Sequence, residues 1–233
     1  MARQDVMSSF SRGFRDGLPF LAVVIPFSML FGVVATEAGL NVLETLSFSV
    51  VVIAGAAQFT ALSLMSDGAP TAIVLASALA VNMRHAMYSA SITPHLGGLP
   101  LWKRIVTAYF LVDQTYASSM LDYEKHPDQT IAQKWAYFLG VVAPICPPWY
   151  LGTVAGALLG EAIPVEMGLD FALPITFIAM IAPGLRTPAH RIAALTAVAV
   201  SLGFAWLPYN LGLMVGGLCG MIAGAETERR AQT

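Results

Sequence analysis

The chain has 233 residues, 57% of them hydrophobic and 11% charged, and a formal net charge of −2. With a mean hydropathy of +0.69, this composition lies outside soluble usage and marks an integral membrane protein without length for a separate soluble domain. It also excludes a nucleic-acid partner, because no segment carries a basic face.

A polar start with Arg3, Arg12 and Arg15 precedes an apolar run over 18–38 that contains Pro26. It reads as a retained first helix with its amino end in the cytoplasm rather than a cleaved signal. Phe10, Phe14 and Leu18 recur at four-residue spacing, which predicts a short amphipathic helix over residues 6–17 lying in the interface. Further apolar runs cover 46–65, 69–92, 105–121, 135–159 and 169–181. The last, 192–223, exceeds one bilayer thickness and is interrupted by Pro208-Tyr209-Asn210, so it is one long tilted helix or two short ones. At about 20 residues per span, the expectation is an all-α polytopic membrane protein of about seven or eight transmembrane helices, a single domain over 1–233.

Lys and Arg should collect in cytoplasmic loops. The amino-terminal arginines and Arg186 with Arg191 suit inside positions, and Glu37, Glu44, Glu161 and Glu166 suit outside ones. Lys103 and Arg104 do not fit simple alternation: either an early segment is re-entrant or the charge rule is overridden there. Arg229 and Arg230 favour a cytoplasmic carboxyl end, and Glu226 and Glu228 weaken that vote.

Two stretches resemble each other. One runs from Phe20 and Pro26 through Gly32 and Gly39 to Ala54-Gly55-Ala56-Ala57; the other runs from Phe138 and Pro144 through Gly152 and Gly160 to Pro183-Gly184. They suggest repeat-like halves over 18–92 and 135–222, with a helix over 105–121 and a polar loop over 122–134 between them. Paired broken helices frame midplane sites in many transporters, which makes Gly55, Pro26, Pro144, Pro183 and Gly184 candidate hinges. The alternative is chance alignment of residues that membrane helices favour. The loop over 122–134 reads as a solvated connector.

Chemistry concentrates in three places. Asn82-Met83-Arg84-His85 lies in an otherwise apolar run, and at helical spacing Asn82, His85 and Ser89 form one stripe while Arg84 pairs with Tyr88. A cation at membrane depth is costly unless paired and so marks a substrate or ion path; the alternative places Arg84 and His85 at the cytoplasmic helix end, snorkelling. Asp113 is the best intramembrane acid, suited either to carrying a proton or to neutralising Arg84. Gln58, after three small residues and a glycine, either faces a ligand or makes an interhelical hydrogen bond. Cys146 and Cys219 lack metal-ligand spacing with the four histidines, and neither a metal site, a cofactor nor a catalytic motif is expected, so the chain does not read as an enzyme.

Gly55-Ala56-Ala57-Gln58-Phe59, then Asn82-Met83-Arg84-His85-Ala86-Met87-Tyr88, then Asp113, resemble the azaleucine-resistance (AzlC-like) family of branched-chain amino acid exporters, in its large subunit. The resemblance implies export of L-valine, L-leucine, L-isoleucine and in some members L-methionine from the prokaryotic inner membrane. It also implies proton coupling and a small AzlD-like membrane subunit of about four helices as partner. The substrate-binding and coupling set it suggests is Asn82, Arg84, His85, Tyr88, Asp113 and Gln58. Gln114 stands where the family often has a second acid, which puts a two-carboxylate coupling scheme in doubt. The competing reading is a channel or a structural or sensory membrane component.

Overall fold

The computed structural model describes residues 2–160, 185, 187–208 and 211–232. Every regular element among them is helical: α1 (Ala2–Gly17), α2 (Leu21–Glu37), α3 (Val42–Val51), α4 (Gly55–Ser66), α5 (Thr71–Leu96), α6 (Leu101–Tyr109), α7 (Asp113–Lys125), α8 (Ile131–Gly160), α9 (Pro188–Gly203) and α10 (Leu211–Gln232). Pro183 and Gly184 lie outside the described residues. The chain divides into two compact units, Met1–Phe59 with Val81–Pro164, and Thr60–Ala80 with Val165–Thr233.

The first unit is organised by two long apolar helical stretches, Asp5–Glu37 and Ile131–Gly160, each long enough to cross a membrane. A 3-10 turn over Leu18–Phe20 carries α1 into α2. The two stretches run parallel: Gly13 abuts Tyr137, Gly17 abuts Val141, Gly32 abuts Thr153 and Ala157, and Gly160 abuts Thr36. A Cβ at any of these positions would enter the neighbouring helix, so the absent side chains are what let the backbones meet. The amphipathic interfacial helix expected at the start is therefore a helix, but one laid along α8. The reason is the pair Gly13 and Gly17, which offer α8 a flat face. Helix α8 is continuous through Pro144, Pro147 and Pro148, and α2 through Pro26, so none of these prolines breaks its helix.

The breaks fall elsewhere. The runs over 46–65 and 105–121, each expected as one span, are helix–break–helix hairpins. In the first, Phe48 stacks on Phe31 and Gly55 meets Phe27, while Phe59 packs on both Phe27 and Phe31. Helix α3 thus descends along α2 and α4 turns back up it. In the second, Lys103 and Thr107 lie against Trp135 and Tyr109 reaches Tyr150, so α6 ascends along α8. Helix α7 then returns, bringing Asp122 to Arg12 and the Tyr123 hydroxyl to the Lys134 carbonyl. The first hairpin enters from the end where α2 finishes, the second from the end where α8 starts. Helix α5 links them, with its carboxyl end, His95, against Tyr123 and Lys134.

This arrangement settles the anomaly of Lys103 and Arg104. They sit at the same end as Arg12 and Lys134, the end that the positive-inside rule assigns to the cytoplasm. Asp122 also departs from expectation. It is not part of a solvated connector but is 4% exposed, held by a bidentate pair with Arg12 (2.9 and 3.3 Å), His126 Nδ1 (3.0 Å) and the Gln129 amide (3.0 Å). A buried carboxylate needs such partners, and here they tie α1 to α7.

In the second unit the final apolar run resolves into two helices, α9 and α10, packed antiparallel. Gly212, Gly216, Gly220 and Gly224 recur every fourth residue on α10 and receive, in turn, Phe204, Ser201 with Ala197, Ala193 with Ala197, and Ala193 of α9. The Ser77 hydroxyl of α5 approaches the Met214 sulfur at 3.5 Å.

Candidate functional site

The tip of the second hairpin carries Asp113. At the second tip the chain leaves helix at Phe110 and re-enters at Asp113 without glycine or proline. Thr115, fully buried, makes this possible: its hydroxyl accepts from the Val112 amide (2.9 Å) and lies at hydrogen-bond distance from the carbonyls of Phe110 (2.8 Å) and Val112 (2.9 Å). One side chain thus serves backbone groups orphaned by the break, which no water would satisfy at this depth. Asp113 is consequently the first residue of α7, where the helix dipole favours a carboxylate.

Arg84 of α5 meets it there, Nη2 to Oδ2 at 3.2 Å. Both side chains keep about a third of their surface open, 32% and 37%, so the pair borders a space and is not sealed in a core. Arg84 Nε and Asp113 Oδ1 are nonetheless buried and, among the described residues, without a hydrogen-bond partner. Tyr88, one turn below Arg84, stacks on Tyr116 (centroids 4.3 Å, 13° between planes) and faces His85 (5.8 Å). The Tyr116 hydroxyl donates to Ser91 Oγ at 2.9 Å. His85 and Tyr88 both feel the charges of Arg84 and Asp113. The structure therefore brings together four of the expected residues: Arg84, His85, Tyr88 and Asp113.

Asn82 lies on α5 two residues before Arg84 and so on nearly the opposite side of the helix; its Oδ1 is buried and, among the described residues, unpartnered. Gly55 opens α4, with Phe27 and Trp149 crowding its Cα. Gln58, in the first turn of α4, is fully buried and donates from Nε2 to Ser49 Oγ (2.9 Å), which shares a hydrogen bond with Thr153 Oγ1 (3.0 Å). Gln58 thus makes an interhelical bond through Nε2, and Oε1 remains unpartnered among the described residues. Residue reading passed over Thr115, Tyr116 and Tyr109. The signal for Thr115 was a hydroxyl three positions past Val112, the last non-helical residue before α7, the spacing at which an N3 side chain reaches back to the N-cap amide.

A model described as "AzlC protein" matches residues 19–163. The chain belongs to the AzlC family. The matched segment contains both hairpins and the Arg84–Asp113 pair. The chain is 25% identical over 221 residues to "Inner membrane protein YgaZ" of Escherichia coli (strain K12), covering 92% of this chain and 89% of the relative. It is 28% identical over 225 residues to an "Uncharacterized membrane protein" of Archaeoglobus fulgidus, covering 94% and 96%. An "Uncharacterized membrane protein" of Helicobacter pylori (strain 26695) is 26% identical over 179 residues, covering 75% and 76%. No solved structure matches. This AzlC-family chain is an integral protein of the prokaryotic plasma membrane.

Proposed function

We propose that the chain is the large subunit of a secondary transporter that exports branched-chain amino acids such as L-valine, L-leucine and L-isoleucine, with L-methionine as a further substrate. The reading adds proton coupling and a small AzlD-like membrane subunit as partner. One observation carries the site: an ion pair at the tip of a broken helix, open on one side, with a buried donor in Arg84 Nε and a buried acceptor in Asp113 Oδ1 that no hydrogen bond takes up among the described residues. A zwitterionic amino acid presents the complement, a carboxylate for the guanidinium and an ammonium for the carboxylate. The aromatic shelf of Tyr88 and Tyr116 supplies the adjoining apolar surface. Asp113 is also the acid to which the reading assigns the coupling, because it stands at membrane depth on the open side of the pair.

The test is efflux from cells loaded with short aliphatic dipeptides, with and without the co-expressed small subunit. Saturable release of valine, leucine or isoleucine against a gradient, collapsed by a protonophore, is the expected result. Release that only follows the gradient, or none with both subunits present, sinks the proposal.

A further inference from the structure

Beneath the hairpin tip, between the last turns of α5 and the whole of α6, lies a cleft of ≈ 250 Å³. Its floor is buried and apolar, formed by Ile92, Leu96 and Leu111. Its wall on the α6 side includes Arg104. The cleft opens sideways: Leu101 and Ile105, which line it, are 67% and 60% exposed. In a membrane protein such residues face acyl chains, not water.

The neighbouring cations at this end are engaged, and Arg104 is not. Lys103 is stacked over the Trp135 ring at 4.2 Å, and Lys134 is engaged by His95 Nδ1 at 3.3 Å and by the Tyr123 ring. The Arg104 guanidinium makes no hydrogen bond, ion pair or ring contact among the described residues, although it stands in the first turn of α6, where the helix dipole disfavours a cation. Trp102, 59% exposed beside it, marks the level of the headgroups. An anion held there would satisfy the guanidinium and offset the dipole, and an aliphatic chain attached to that anion would fill the cleft.

We infer that the α5–α6 cleft binds an anionic phospholipid of the cytoplasmic leaflet, its phosphate on Arg104 and one acyl chain over Ile92, Leu96 and Leu111. The site is separate from the Arg84–Asp113 pair and does not depend on the transport reading. Basic pockets between helices on the cytoplasmic side suit such headgroups. The lipid would wedge α6 against α5 and so hold the second hairpin at its working depth.

The test is native mass spectrometry of the full chain released from nanodiscs of phosphatidylcholine with phosphatidylglycerol. The wild-type protein retains phosphatidylglycerol in preference to phosphatidylcholine. Arg104→Gln lowers that preference about fivefold, the factor expected for one basic residue at an anionic surface. Ala108→Phe, which fills the cleft without changing charge, releases lipid of both kinds. Equal retention of the two lipids by the wild type overturns the inference, and this arm needs no variant to fold. Displacement of the lipid by millimolar inorganic phosphate alone overturns it too, since the site would then serve a soluble anion.

Discussion

The Tyr109 hydroxyl, at the tip of the second hairpin, donates to the Val50 carbonyl at the tip of the first across 2.7 Å. Val50 lies one residue from the end of α3, so its carbonyl has no helical amide to accept from, and at membrane depth that deficit must be met by a side chain. The Tyr150 hydroxyl completes the junction at 2.9 Å from Tyr109. Two hairpins entering from opposite ends are thus joined at their breaks by one phenol, with Asp113, the partner of Arg84, four residues further along the chain.

Tyr109→Phe removes that donor and leaves the carbonyl orphaned. A loss of about 1 kcal/mol is expected, the scale of side-chain hydrogen bonds within membrane proteins. It reads as a lower unfolding midpoint in nanodiscs together with altered transport, whereas Tyr150→Phe, which leaves Val50 served, shifts the midpoint less. Equal midpoints for the wild type and both variants would show that the junction bears no load.

Arg84→Gln and Asp113→Asn each uncover an unpaired charge, and each should abolish efflux. The double variant carries no such charge and should recover the abundance of the wild type in the membrane while remaining inactive. Because both side chains are partly open, the pair itself contributes only about 0–1 kcal/mol to stability. Recovered transport in the double variant would reduce the pair to a structural neutralisation.

Close helix approach predicts a contrast between glycines. At Gly156 a Cβ would enter the Met29 backbone, whereas at Gly217 it meets nothing within 4 Å. Gly156→Ala should therefore cost about 1–3 kcal/mol by forcing α2 from α8. Gly217→Ala should be neutral or stabilise by about 0.5–1 kcal/mol through helix propensity. Thermal unfolding of the two variants side by side decides this; equal effects would refute the packing account.

At the carboxyl end, hydrogen bonds from Arg229 and Arg230 lower the carboxyl pKa of Glu226 below its usual 4.5. The sign follows from linkage: a depressed carboxylate adds stability above the unfolded value and loses it as pH falls through the folded one. The group is fully solvated, so the effect is local and screened by salt. Amide exchange in the last turns of α10 should quicken as pH is lowered below the Glu range, relative to the intrinsic rate, and Glu226→Gln should remove the pH dependence.

Much of this was readable in residues. Ala54-Gly55-Ala56-Ala57 announced the first break, and the misfit of Lys103 and Arg104 left a re-entrant segment as one of two readings. Arg84 and Asp113 announced themselves by their cost in an apolar run. The second break was hidden, because Phe110-Leu111-Val112 looks like any span and the hydropathy of a hairpin's two arms sums to that of one helix. The prolines misdirected, since a helix packed along its length, as α8 is on α1 and α2, tolerates the lost amides without breaking.

Composition and periodicity determined that the chain is helical, lies in a membrane and holds a cation and an acid at depth, because these follow from transfer costs that each residue bears alone. Only the tertiary structure decided that Arg84 meets Asp113, that Arg12 holds Asp122 from 110 residues away, and that two apparent spans turn back. Those outcomes depend on which distant side chain satisfies an orphaned backbone or charged group, and spacing along the chain carries no record of that choice.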